Sequence, residues 1–257
     1  FRVPISYPES LILHKKIFVM KIALIGYGKM GKAIEEVALL RRHEIILTID
    51  QPNLQDFTKE NMAKAEVAIE FTGPHTAFDN VKSCLHFGLP VVCGSTGWTD
   101  RIEEMKKICM ENNGTFIYSS NFSVGVNIFF EINKKLATLM GQHSDYEVIL
   151  EETHHTQKKD APSGTAITLA EQILEQVKRK KQWVNELSDN TEDLEIISQR
   201  IDPAPGTHQV KYSSAIDDIE IIHTAHNRKG FAFGAMLAAE FIKDKKGFFT
   251  MKEVLNL

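Results

Sequence analysis

The chain lacks any apolar run of the length a membrane-spanning helix needs. Cysteine is scarce: Cys84, Cys93 and Cys109 are odd in number and lack metal-ligand spacing. That argues against a disulfide framework and predicts a reducing, cytoplasmic setting with no metal site. A basic excess is also missing, since 30 Lys and Arg stand against 34 Asp and Glu, a formal net charge of −4. Nucleic acid is therefore not the expected partner, and a small molecule is. The one dense basic tract, KRKK at 178–181, closes a helical pattern, where cations suit the helix dipole, and is expected to be a solvated end. Repeats and low-complexity tracts are absent. The opening FRVPISYPESLILHKKIFV has neither an initiating Met nor an A-x-A cleavage site, whereas Met20 stands directly before a strong strand. Residues 1–19 are accordingly expected to be a non-native or leader extension.

What remains is ordinary globular composition, 43% hydrophobic and 25% charged, enough for one large domain or two modest ones. From Met20 the pattern alternates. KIALIG, EIILTID, AEVAIEFT, PVVCGST and TFIYSS read as short buried strands. Between them lie amphipathic helices, one from about Lys29 to Arg41, then TAFDNVKSCLHF and DRIEEMKKICMEN. This predicts a parallel sheet covered on both faces. After Asn121 the texture changes to a helix, GVNIFFEINKKLATLMG, and then several strands with one main crossover: YEVILEETH, LEIISQR, THQVKYSSA and IEIIHTAH. DPAPG, Asp202 to Gly206, is a turn-rich link. A helix at GFAFGAMLAAEFIKD and a short one at TMKEVL, opened by a Thr250/Glu253 capping box, close the chain. The predicted class is α/β: a Rossmann-like, parallel-sheet dinucleotide domain (20–121 and 228–257) plus an α+β domain (122–227) with an open mixed sheet for substrate and oligomer contacts.

GYGKMG, Gly26 to Gly31, follows a strand and opens a helix. Its glycines permit a tight turn, and backbone N–H groups there can face a pyrophosphate. A lone Gly-rich loop is weak, because a plain strand–helix turn also uses Gly. Asp50, ending the second strand, stands where an acid accepts hydrogen bonds from a ribose diol. Asp50 repels a 2′-phosphate and Gln51 offers no cation, whereas Lys29 could pair with one. The expected cofactor is NADH, with NADPH tolerated. GSTGW (Gly94 to Trp98) and SSNFSVGVN (Ser119 to Asn127) end later strands. Small and hydroxyl residues there are expected along the nicotinamide half, with simple turn chemistry as the alternative.

HHTQKKDAPSGTA, His154 to Ala166, gathers imidazoles and ammonium groups ahead of a helix start. Pro162 suits a first turn, Asp160 is a candidate partner for a lysine, and Ala166, Ala170, Ile173, Leu174 and Val177 recur at helical spacing. Free N–H groups after Ser163, at Gly164 and Thr165, make an anion site beside a proton source. The competing interpretation makes His154 and His155 satisfied strand-end residues and PSGT a mere cap.

This run resembles the H-H-x-x-K-x-D-A-P-S-G-T-A signature of the 4-hydroxy-tetrahydrodipicolinate reductase family. GYGKMG, EFTGP, GSTGW, NFSVGVN and NRKGFAFGA fall in the family's order from Met20 onward. The resemblance implies NAD(P)H-dependent reduction of a cyclic imino dicarboxylate in diaminopimelate and lysine biosynthesis, commonly by tetramers formed through the second domain's sheet. It implies that His154 is a proton donor and acceptor and Lys158 a second donor, with Lys159 at a variable position. His155, Gly164 and Thr165 match substrate-binding positions, and Ser163 opens that same turn. Gly26, Tyr27, Gly28, Lys29, Met30, Asp50, Gly94, Ser95, Thr96, Ser119, Ser120, Asn121 and Phe122 match cofactor segments. Departures are Ile25, Glu70, Ser95, Trp98 and SSNF, which bear on cofactor fit. A reductase of another imino or keto acid, or a non-catalytic dinucleotide sensor, is the alternative. Arg228 is left without a role, and His223 and His226 are read as structural.

Overall fold

The structure, a computed structural model, describes residues 18–257, so most of the expected extension (1–17) lies outside the described residues. The first compact unit closes at Ile117 and takes in Ala235–Phe249. Its elements are β1 (Lys21–Ile25), α1 (Lys29–Leu40), β2 (Glu44–Ile49), α2 (Lys59–Met62), β3 (Val67–Glu70), α3 (Ala77–His86), β4 (Val91–Cys93), α4 (Ile102–Glu111) and β5 (Thr115–Tyr118). The second unit, Tyr118–Gly234 with Thr250–Leu257, holds α5 (Val124–Met140), β6 (Glu147–His154), α6 (Gly164–Gln176), β7 (Gln182–Val184), β8 (Asp193–Arg200), β9 (Gly206–Ser213) and β10 (Asp218–Ala225). Helix α7 (Lys229–Ile242) contains the boundary; β11 (Gly247–Phe249) belongs to the first unit and α8 (Met251–Leu255) to the second.

The first sheet is parallel, six-stranded and ordered β11-β5-β4-β3-β1-β2. Every residue of β3 and β4 is buried, and so are Ile22 to Ile25 of β1, as a sheet covered on both faces requires. The order reverses between β1 and β3, and ligands of such sheets bind beyond the strand ends at that point. Gly26 is needed there. Its φ is +92°, and a Cβ would lie 2.3 Å from the carbonyl oxygen of Phe71, where β3 ends. Helix α7 is fastened within this unit by Glu240, which accepts from Arg41 Nε (2.6 Å) and Nη2 (2.8 Å) and meets His43 Nε2 at 2.8 Å.

The second sheet is mixed, in the order β10-β9-β6-β8-β7. Strand β6 runs parallel to β8 and antiparallel to β9, and its side chains alternate in burial along its whole length. Leu150, Ile196, Val210 and Tyr212 face Leu169, Ala170 and Ile173 of α6 and Phe129 and Ala137 of α5. Each fully buried Leu or Ile there contributes about 1.5–3 kcal/mol. Ile149, Glu151, Ile197, Gln209, Lys211 and Ile222 alternate with these on the sheet's other face.

Three local readings differ from expectation. Residues 118–121, 228–234 and 250–257 group with the second unit, as the chain crosses over where β5 ends and Lys252 pairs with Glu131 of α5 at 3.0 Å. Helix α6 ends at Gln176, and within the basic tract Lys180 is buried, its Nζ 2.9 Å from Glu147 and 2.8 Å from the Thr191 carbonyl oxygen. That lysine is a tether, not a solvated end. Pro162 precedes the helix cap and is not in its first turn, because the Ser163 side chain takes the cap position. The Thr250/Glu253 capping box forms as predicted.

Candidate functional site

In the first unit, Gly26 N–H bonds the Ile49 carbonyl oxygen (2.8 Å) and Tyr27 N–H bonds Asp50 Oδ2 (3.2 Å), so the glycine loop and the tip of β2 are stitched together. Asp50 Oδ1 also accepts Gln51 N–H at 2.8 Å. Helix α1 starts at Lys29 and Met30 after Gly28, with no side-chain cap and no acid in its first turn. Its first N–H groups keep their positive field for an anion, and among the described residues nothing lies within 4 Å of where a Gly28 side chain would be. The Tyr27 hydroxyl donates to Glu35, which turns the ring back along the helix. Gly94, after β4, donates its N–H to the Glu70 carbonyl oxygen (3.0 Å). Ser95 is buried, its hydroxyl without a hydrogen-bond partner among the described residues, whereas Thr96 is exposed. Glu70 is fully buried and ties down the loop after β3, accepting from Thr72 N–H (3.0 Å) and from the Cys93 thiol (3.0 Å). Burial, and then Glu70, pushes that thiol's pKa well above its usual range.

Ser119 to Phe122 lie in the second unit. Asn121 Nδ2 reaches Thr165 Oγ1 at 3.2 Å, and Asn121 Oδ1 accepts Ser123 N–H at 2.9 Å just where α5 is capped. Phe122 is buried. Ser119 and Ser120 also line a cavity of about 320 Å³ with Tyr118, Phe130, Gln172 and Lys252. Ser163 caps α6 by accepting Ala166 N–H at 3.2 Å, again with no acid in the first turn. Gly164 is exposed with open space around it, and Thr165 is half-buried. Lys158 Nζ sits 2.8 and 2.7 Å from the two Asp160 oxygens. Burial alone would raise the Asp160 carboxyl, but Lys158 holds it below the usual range. Thr156 pins the loop to Asp202 through N–H (3.1 Å) and Oγ (2.6 Å). His155, beside it, is half-buried. Arg228 is exposed just ahead of α7.

His154 ends β6 and is 8% exposed, so imidazole is reached only through a small opening. Around it the sheet's inner face changes from apolar to polar. Register explains this: Glu152 stands opposite Ser198 on β8 and His208 on β9, and His154 opposite Arg200. Glu152 Oε1 accepts from Ser163 N–H (3.0 Å), Ser198 Oγ (2.9 Å) and Arg200 Nη2 (3.1 Å). Its Oε2 lies 3.3 Å from His154 Nδ1 and 3.6 Å from His208 Nε2. His208 Nε2 is also 3.1 Å from Ser163 Oγ, and the two imidazoles meet edge to face at 5.1 Å. Burial would raise the Glu152 carboxyl; the facing His154 and His208 rings and hydrogen bonds from Ser163 and Ser198 outweigh it and hold the group far below the carboxylate range. Burial lowers the pKa of His208, only partly opposed by Glu152. His223, opposite His208 on β10 and 5.9 Å from the Phe129 ring, is likewise lowered, first by burial.

Ligand atoms of Glu152, His154 and His208 lie within 4.8 Å of one another, close enough in principle for a metal ion. Arg200 already supplies the positive charge this carboxylate needs, and a divalent ion would sit against that guanidinium. Glu152, Ser198, Arg200 and His208 were missed by the sequence reading. Glu152 lies two residues before His154, so strand period alone places it on the same face. The others carry no local signal.

Two family models match the chain: dihydrodipicolinate reductase, N-terminus, over residues 20–122, and dihydrodipicolinate reductase, C-terminus, over residues 125–255. A 4-hydroxy-tetrahydrodipicolinate reductase of Christiangramia forsetii is 50% identical over 241 residues, covering 92% of this chain and 98% of the relative. One from Thermosipho africanus is 34% identical over 246 residues, with coverage of 92% and 98%. Among solved structures, a dipicolinate-bound dihydrodipicolinate reductase from Paenisporosarcina sp. TG-14 superposes with a TM-score of 0.72 at 23% identity, covering 92% of this chain and 99% of that one. GenD2 of gentamicin A biosynthesis, solved with NAD, shares the fold at a TM-score of 0.53 and 14% identity, with coverage of 81% and 74%.

Proposed function

Because the chain belongs to the dihydrodipicolinate reductase family, we propose that it reduces 4-hydroxy-tetrahydrodipicolinate to tetrahydrodipicolinate, with NADH favoured over NADPH, in the cytoplasm. The observation that carries this is the α6 start: an uncapped-by-acid, open helix N-terminus at Gly164 and Thr165, on the same unit as His154 and Lys158. The residues present also fit a dinucleotide. The α1 start has no competing acid, Asp50 stands at the tip of β2, and the Ser95 hydroxyl is buried without a partner. Gly26 to Met30 would face the pyrophosphate and Asp50 the ribose diol, with Gly94 to Thr96 along the nicotinamide half; Ser119 to Phe122 match cofactor segments by resemblance to the family. When bound, the cofactor supplies a hydride to an electrophilic ring carbon of the substrate.

The chain's own residues do the rest. Gly164 and Thr165 N–H groups, with the Thr165 hydroxyl, hold one substrate carboxylate; His155 and Lys158 add positive charge. Loss of water, in which a ring C–H beside the C=N gives up its proton and Lys158 protonates the departing hydroxyl, leaves the conjugated system that accepts the hydride; His154 or Lys158 then delivers one proton as electron density collects toward the ring nitrogen. Asp160 orients the Lys158 ammonium. The exposed face of the second sheet, with Ile149, Ile197 and Ile222 among polar residues, supports assembly as a homotetramer.

The decisive experiment generates the unstable substrate in place from pyruvate and aspartate semialdehyde with the synthase that condenses them, and follows nicotinamide absorbance with each cofactor separately. Oxidation of NADH faster than NADPH is expected; oxidation of neither would overturn the proposal.

A further inference from the structure

The two halves of the proposed substrate machinery in the second unit, the imidazole of His154 and the start of α6, both hang on one buried side chain. Glu152 divides its two oxygens between them. Oε1 takes the framework: Ser163 N–H at 3.0 Å, the Ser198 hydroxyl at 2.9 Å and Arg200 at 3.1 Å. Oε2 faces the rings, 3.3 Å from His154 Nδ1 and 3.6 Å from His208 Nε2, charge contacts that fall short of hydrogen bonds. A buried carboxylate among so many donors is a poor device for stability alone, since desolvation offsets most of what its partners return. As a device for geometry it is effective, because each partner fixes a different element.

We propose that Glu152 is the positioning residue of this reductase: it selects the Nδ1–H form of His154, so that Nε2 is the nitrogen that exchanges protons, and it holds the anion-binding start of α6 in register with that nitrogen. The proposal rests on the reductase reading and deepens it. An acceptor facing Nδ1 stabilises the tautomer with its hydrogen there, as a carboxylate does for other catalytic imidazoles. Nε2 faces Gly206, which opens β9; a Cβ at that position would lie 3.0 Å from it. Glycine thus leaves the working nitrogen unobstructed. His208 extends the arrangement, since its Nε2 faces two acceptors, Ser163 Oγ and Glu152 Oε2, and an Nε2–H there braces the cap of α6. The charged and titratable groups around this imidazole are Glu152 on its own strand, Arg200 from β8, His208 from β9 with His223 behind it on β10, and His155, Lys158 and Asp160 from the loop that follows.

Two variants and two readouts test it. Glu152→Gln keeps the shape but turns an N–H toward the rings. Glu152→Asp keeps the charge for Arg200 but withdraws the carboxylate, and serves where the first variant does not fold. Nitrogen-15 shifts of the His154 ring, assigned against His154→Gln, report the tautomer; steady-state kinetics report kcat and KM separately. We expect the Nδ1–H signal to give way in Glu152→Gln, kcat to fall roughly 10²–10⁴-fold and substrate KM to rise, with NADH affinity unchanged. Glu152→Asp should show a mixed tautomer and a kcat at least about tenfold below the parent. A folded variant at 152 that keeps the parent tautomer overturns the proposal whatever its kcat. If His154→Gln cripples turnover while both Glu152 variants match the parent, positioning fails and the reductase reading survives. If His154→Gln is itself fully active, the reading fails with it.

Discussion

At the scale of single residues, the two groups proposed to handle protons differ in how freely they meet solvent. Lys158 is clamped by Asp160 at the surface, whereas His154 is nearly enclosed. Replacing His154 by Gln or Lys158 by Ala should lower kcat roughly 10²–10⁴-fold with the fold intact, measured by steady-state kinetics beside far-UV circular dichroism. The buried cluster also sets an acid limit. Glu152 ionises well below its usual value of 4.5 in the folded chain, so its contribution is complete above about that pH and is lost as pH falls below it. His208 resists protonation relative to its usual 6.5, so the unfolded chain binds the extra proton and stability falls as pH drops below that value. Both act in the same direction. Urea unfolding between pH 7 and 4, two points spanning roughly the titration range of His and Glu, should show stability declining toward acid. His208→Gln should flatten the upper part of that slope and Glu152→Gln the lower part. His154, Lys158 and the Gly164–Thr165 turn were legible in the sequence because they follow one another in a single loop. Arg200 and His208 were not, because only strand register brings residues 40 to 60 positions apart into one row.

At the scale of elements, helix and strand types were readable from period and caps, and what escaped was the competition at their ends. Pro162 was read as a first-turn residue, but the Ser163 hydroxyl is a better cap and moves the proline outside. KRKK was read as solvated, yet Lys180 finds Glu147 on the strand that opens beside it. The return of α7 depends on a similar long-range pairing that no local pattern announces. Glu240 meets Arg41 through both guanidinium donors and His43 besides. Burial would raise its carboxyl, and hydrogen bonds from His43 and Arg41 outweigh this to keep it ionised. Glu240→Gln should cost about 1–3 kcal/mol, leaving the half-buried Arg41 guanidinium short of its counter-charge. Calorimetry should then show Tm falling by about 2–4 °C for each kcal/mol lost.

At the scale of the whole molecule, two sheets of different kinds were anticipated from the change in texture after Asn121, and both are present. The order of strands in the mixed sheet was not anticipated, because the crossover through α6, the β9–β10 hairpin and a β8–β9 link that skips a neighbour satisfy the same alternation in several arrangements. If the outward face of that sheet is the assembly surface, a charge at Ile222, 55% exposed, should break it. Ile222→Glu is expected to shift the mass found by light scattering below that of a tetramer while leaving the circular dichroism spectrum unchanged. A parent chain that runs as a monomer would remove the basis for the prediction.

The placement of β11 beside β5 has a consequence for how the protein is made. The ribosome delivers β5 early and its neighbour only after more than a hundred further residues have emerged, so the nascent first sheet waits with one flank bare while the inserted unit is synthesised and folds. The inserted stretch has every strand of its own sheet in continuous sequence and can mature first. Stalled chains released before Gly247 should therefore yield a protease-resistant inner fragment with a digestible amino-terminal half.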